Sequence, residues 1–133
     1  MIDHVLIDMD GVIVDYYRSV LPHTKATITY DEWPPGCSKY EHLFGMTYAE
    51  VMRNVEDDFW RDMPPTPWME VLFRWLRVHE ATVFAEQHIL TSPPYIHHHE
   101  NIEPCHVAET VKGKLEWILK HVPEFYHSGG ISF

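Results

Sequence analysis

The chain opens on a short apolar run, His4 to Met9, which closes on the acidic pair Asp8 and Asp10 followed by Gly11. A run of this length with two apolar faces predicts a buried strand that turns sharply, and favours a central strand of a parallel sheet over a half-exposed antiparallel one. Periodicity then fades. Pro22, Pro34, Pro35, Gly36 and Gly45 punctuate residues 22 to 46, which read as loop. Thr47 and Glu50 fit a capping box, and Tyr48, Val51, Met52, Val55 and Phe59 recur at helical spacing, predicting one helix up to Asp62-Met63-Pro64-Pro65. Thr66 with Pro67 at the first helical position predicts a second, with Trp68, Val71, Leu72, Trp75 and Leu76 on its buried face and an end near His79. Thr82 to Leu90 is rich in β-branched and apolar residues and stops at Thr91-Ser92-Pro93-Pro94, which predicts a strand. Residues 93 to 109 are polar and aperiodic. A third helix follows from about Val111 to Val122, with Val111, Leu115, Ile118, Leu119 and Val122 on one side, and Pro123 breaks it. Ser128 to Phe133 reads as loop.

The order strand, mixed insert, helix, strand, loop, helix resembles a doubly wound α/β fold interrupted after its first strand, and in such folds ligands sit beyond the carboxyl ends of the strands. Both predicted strand ends carry polar groups there: Asp8 and Asp10 after the first, Thr91 and Ser92 after the second.

Composition narrows the function classes. With 133 residues the chain is sized for one domain, and an apolar fraction of 45% with five Trp and six Phe excludes intrinsic disorder. A net charge of −10 opposes a nucleic-acid polymer or an anionic membrane as the main partner, so an anionic ligand needs a local positive site or a metal. Eleven His soften that charge below neutral pH. Cys37 and Cys105 do not amount to a disulfide framework, the start lacks a basic leader segment, and no run approaches the roughly 18 apolar residues of a membrane span. These features lead us to expect a cytoplasmic protein.

Two carboxylates two residues apart at a strand end can converge on one small volume, one as a nucleophile toward phosphorus and the other as an acid and base. Their oxygens together suit Mg²⁺, and Gly11 lets the backbone turn there. A solvated pair of turn residues is the plainer reading of such a pair alone. Thr91 and Ser92 read either as turn hydroxyls or as phosphate ligands, and Lys114 either as a surface helix residue or as a neutralising charge, with Lys112 as its competitor. His97-His98-His99 with Cys105 and His106 invites a zinc reading, but consecutive His cannot easily converge on one ion and the spacing fits no standard finger, so the segment reads as an exposed polar loop.

The joint pattern is more specific. Val5 to Asp15 (VLIDMDGVIVD) resembles the first signature of the haloacid dehalogenase superfamily, Ile89-Leu90-Thr91-Ser92-Pro93 its second, and Lys114 falls where the lysine of its third would lie. Leu90-Thr91-Ser92-Pro93, Lys114-Leu115-Glu116-Trp117-Ile118, and Phe59-Trp60 followed by Met63-Pro64-Pro65-Thr66-Pro67 are similar to segments of the 5′(3′)-deoxyribonucleotidase group, the type C pyrimidine 5′-nucleotidases of that superfamily. The resemblance covers roughly residues 4 to 122. It implies a Rossmann-like parallel sheet formed by residues 1–15 and 64–133, with a small, mostly helical cap over 16–63 inserted after the first strand.

By the same resemblance, Asp8 would form an aspartyl-phosphate, and Asp10 would protonate the leaving nucleoside oxygen and later activate water. Asp8 and the Asp10 carbonyl would ligate Mg²⁺. Thr91 and Ser92 would bind phosphoryl oxygens, and Lys114 would neutralise them and keep Asp8 ionised. The aromatic residues of the insert read as cap core or as stacking faces for a nucleobase, with Phe59 and Trp60 the candidates nearest the base. The substrate implied is a nucleoside monophosphate, deoxypyrimidine nucleotides foremost. The superfamily's fourth signature, an acidic pair after a further strand, has no counterpart, because no Asp follows Lys114. The expected core is therefore incomplete, and a second copy of the chain could cover its open sheet edge. The alternative is a weak or inactive relative that binds nucleotides or another protein.

Overall fold

The computed structural model describes residues 2–34, 45–56, 58–80, 82–92 and 104–133. Its centre is a three-stranded parallel sheet in the order β1 (Ile2–Asp8), β2 (Phe84–Leu90), β3 (Ile131–Ser132). β1 and β2 run in register from Ile2 opposite Phe84 to Asp8 opposite Leu90, and β3 joins β2 at Ile89 and Leu90. Parallel neighbours need long crossovers. β1 reaches β2 through α1 (Tyr16–Val20), α2 (Tyr48–Asn54), α3 (Phe59–Asp62) and α4 (Met69–His79). β2 reaches β3 through α5 (Pro104–His121) and α6 (Pro123–Ser128). The molecule is thus a mixed α/β structure, and among the described residues no helix is long and apolar enough to cross a membrane.

Strand alternation divides the sheet into unlike faces. Ile7, Met9, Ile89 and Thr91 point into a core with Ile13, Val14, Trp60, Phe73, Leu76, Trp117, Ile118 and Phe125. The opposite face, with Ile2, His4, Leu6 and Asp8 of β1 and Glu86, His88 and Leu90 of β2, is largely open to solvent, Leu6 at 60%. The expectation of two buried faces for the first strand therefore fails. β1 also sits at an edge of the described sheet and β2 takes the centre.

The single helix expected from Thr47 to Asp62 is two. The Thr47–Glu50 capping box forms, with Thr47 N–H donating to Glu50 Oε2 at 2.7 Å and Glu50 N–H to Thr47 Oγ1 at 3.2 Å, but Val55 is extended and stops α2. Acidic residues Glu56, Asp57 and Asp58 follow. Negative charge opposes a helix C-terminus and favours a new N-terminus, so a second helix begins at Phe59 instead. The buried face assigned to the next helix also changes. Trp68, Val71 and Trp75 are exposed, Phe73 and Leu76 are buried, and Leu72 is half-buried. The outer stripe is legible as apolar periodicity, but among the described residues the sheet has one covered face, and Phe73 reaches Phe125 on that side.

Helix α4 starts at Met69 rather than Pro67 because Thr66 is used elsewhere. Its hydroxyl donates to Val12 O at 2.8 Å and its N–H to Ile13 O at 2.9 Å. Together with Asp15 N–H donating to Pro64 O, these bonds pin residues 12–15 to 64–66, where the chain leaves the sheet and returns to it. β2 begins at Phe84 because the N–H groups of Thr82 and Val83 still bond to His79 O. The third helix starts earlier than expected, at Pro104, and Pro123 opens α6 instead of ending order. Ser128 to Phe133, expected as loop, contains β3: Gly129 ends α6 at φ 73°, and Gly130 and Ser132 carbonyls accept from Ile89 and Thr91 N–H.

Candidate active site

The site begins where β1 runs out. Met9 N–H still donates to Leu90 O at 3.1 Å, keeping the β1 end beside the β2 end, and Met9 O then accepts from Ile13 and Val14 N–H. The chain folds back at once. Gly11 makes this possible at φ 81°, and the Tyr17 ring lies where a side chain would stand, 2.8 Å from an ideal Cβ. The turn aims Asp10 inward while Asp8, the last strand residue, stays on the open face.

Lys114 meets Asp10 from the other side. Rooted in α5 and only 1% exposed, its ammonium lies 2.6 Å from Asp10 Oδ2, 2.9 Å from Thr91 Oγ1 and 2.9 Å from Ser92 O. Each of its three protons has an acceptor. The Trp60 ring lies beneath it, 4.9 Å from Nζ to centroid. Gly113 allows this approach, because a Cβ there would stand 2.7 Å from Trp60 Cβ. Lys112, the competitor in sequence, is 76% exposed and faces Glu116 at 3.8 Å.

Asp10, Thr91, Ser92 and Lys114 are therefore brought to one point, and Asp8, at the strand end on the open face, feels the charges of Asp10 and Lys114. Asp10 Oδ1 is buried and has no hydrogen-bond partner among the described residues. Partial burial, then the neighbouring Asp10 charge, raises the Asp8 pKa above the ordinary carboxylate value, against Met9 N–H and, most weakly, Lys114. Lys114 does act on Asp8 in the expected direction, as the smallest of these causes, while its direct partner is Asp10. The Tyr17 and Tyr48 phenols are both pushed upward, first by burial and then by the Asp10 charge, so they stay protonated. Sequence reasoning did not place these two beside the acidic pair. Tyr17 could have been found only by asking which side chain fills the space that Gly11 leaves.

Phe59 and Trp60 sit in a packed aromatic cluster. Trp60 is buried and stacked on Tyr16 at 5.7 Å and 11°, and Phe59 is half-buried among Tyr16, His23 and Trp60. Tyr17 also joins Tyr30, Asp31 and Trp33 in lining an open cleft of about 490 Å³. His97 to His99 lie outside the described residues.

The arrangement offers a carboxylate at a strand end, a second carboxylate held by a buried ammonium, and a hydroxyl on that ammonium. Such a set can hold a dianion and move a proton. No family model matches the chain, and no curated protein matches it either.

Proposed function

We propose that the chain is a Mg²⁺-dependent phosphatase of the haloacid dehalogenase type, acting on nucleoside monophosphates and on deoxypyrimidine nucleotides foremost. The observation that carries the reading is the buried ammonium of Lys114, shared between the ends of two parallel strands. Burying an ion costs several kcal/mol on the order-of-magnitude scale, and an apolar side chain would fill the same space more cheaply. A charge kept there serves something beyond packing.

The donors fit the metal this reading implies. Asp8 and Asp10 offer hard oxygens, and Asp10 Oδ1 is buried with no partner among the described residues. These two residues would hold Mg²⁺, which supplies charge neutralisation on the phosphoryl oxygens. Thr91, Ser92 and Lys114 bind those oxygens as well. Asp8 attacks phosphorus in line; its bond to phosphorus forms as the bond to the nucleoside oxygen breaks, and Asp10 delivers a proton to that oxygen. Water then attacks the aspartyl-phosphate, gives its proton to Asp10, and Asp8 leaves. An incoming phosphate competes with Asp10 for the Lys114 ammonium, and the Asp10 carboxylate so released takes up a proton from solvent, which it passes to the leaving oxygen and regains from the attacking water.

With Mg²⁺, the protein should release inorganic phosphate from thymidine or deoxyuridine monophosphate, and Asp8→Asn should abolish release. No release over a panel of nucleotides and simple phosphate esters overturns the enzyme reading. Nucleotide binding without release, measured by calorimetry, would instead favour a binding module.

A further inference from the structure

The open face of the sheet carries a second constellation that phosphoryl transfer does not use. His4 of β1 stands opposite Glu86 of β2, and His88 follows two residues on, so all three side chains rise from the same face. His4 Nδ1 lies 3.3 Å from Glu86 Oε2, and His88 Nε2 lies 3.2 Å from the same oxygen. The two imidazoles meet edge to face at 5.5 Å. One donor atom from each residue lies within 4.8 Å of one from each of the others.

We infer that His4, Glu86 and His88 form a binding site for a divalent transition-metal ion, Zn²⁺ above all, bridging β1 and β2. Ligand bonds of about 2.0–2.1 Å around a tetrahedral ion put neighbouring donors about 3.3–3.4 Å apart. Two of the three donor separations already match that edge. The third closes by rotation of the His4 imidazole, which is 57% exposed. Two neutral nitrogens and one carboxylate oxygen suit Zn²⁺, Ni²⁺ and Cu²⁺ and poorly suit Mg²⁺, which prefers oxygen. Three protein ligands also leave a position for water.

The surroundings favour a cation. Glu86 and His88 also line a cleft of about 530 Å³ into which Glu80 and Glu124 bring further negative charge, partly offset by Arg77. Among the described residues, Glu86 pairs with His4 and His88 on the open face of the sheet, and pairings of that kind contribute little to stability. The register of the two strands supplies the convergence. A slip by one residue would send His4 to the other face.

Zn²⁺ titration of the 133-residue protein by calorimetry tests this, with His97→Ala/His98→Ala/His99→Ala as the background so that the run of three consecutive His does not compete. One Zn²⁺ per chain should bind in that background, and His88→Ala or His4→Ala should each weaken binding at least tenfold. Zn²⁺ should raise the melting temperature of the background protein and not of its His88→Ala derivative, because the ion ties two strands together. Unchanged affinity in both single-His variants overturns the site, as does loss of Zn²⁺ binding on removing His97 to His99. Both His side chains lie on the open face, so circular dichroism of the metal-free variants should match the parent. No residue of the proposed phosphatase site is altered, so failure of that reading leaves this result standing.

Discussion

The ammonium of Lys114 has three acceptors and almost no contact with solvent, so its removal strands Asp10 and Thr91 together. Lys114→Met should destabilise the fold by roughly 2 kcal/mol, because it leaves the half-buried Asp10 charge uncompensated. Adding Asp10→Asn should recover part of that loss, and urea unfolding of the two single variants and the double gives the coupling directly. Asp8 behaves in the opposite sense. Its pKa is raised in the folded protein, so its contribution to stability is full below the unfolded value and lost as pH rises through the folded one. At neutral pH its charge therefore works against the fold, and Asp8→Asn should abolish phosphate release while leaving the melting temperature level or higher. Mg²⁺ held by Asp8 would oppose that rise, so if the chain releases phosphate, the acid limb of its pH–rate profile should move to lower pH as the Mg²⁺ concentration is raised.

At the scale of elements, the close approach of α5 to α3 depends on Gly113. Ala is the better helix former by about 1 kcal/mol, yet its Cβ would stand 2.7 Å from Trp60 Cβ and 3.3 Å from Arg61 N. Overpacking against fixed atoms costs more, typically about 1–3 kcal/mol, so Gly113→Ala should be net destabilising in thermal unfolding. It should also impair phosphate release by shifting Lys114. Elements with strong local signals are legible in the amino-acid sequence alone: the strand ending at Asp8, the Thr47–Glu50 cap, and the helix bearing Lys114. What escapes it depends on partners far along the chain. Nothing local distinguishes Ile131-Ser132 from loop until β2 offers its edge, and nothing in the period of Trp68, Val71, Trp75 and Val78 says that Phe73 wins the buried side. The candidate site divides the same way. Asp10 and Lys114 are visible as types at telling positions, whereas His4 with Glu86 needs the register of two strands some eighty residues apart.

For the whole molecule, the open sheet face and the outer stripe of α4 leave a large apolar surface in water, including Ile2, Leu6, Trp75 and Val78. We expect concentration-dependent self-association, with light scattering giving a mass above 15.8 kDa and Leu6→Lys lowering it. A stable monomer at high concentration would count against this. The pairing of Asp10 with Lys114 spans 104 residues, and β1 meets its partner only after some eighty. At synthesis rates of about 5–20 residues per second, roughly 5–20 s separate the appearance of the carboxylate from that of its lysine. Through that interval the nascent chain has a strand without a ladder and acids without a counter-ion. Closure of the Lys114 contact is thus a late event in biogenesis, and binding of a phosphate ester would report that the chain has finished folding.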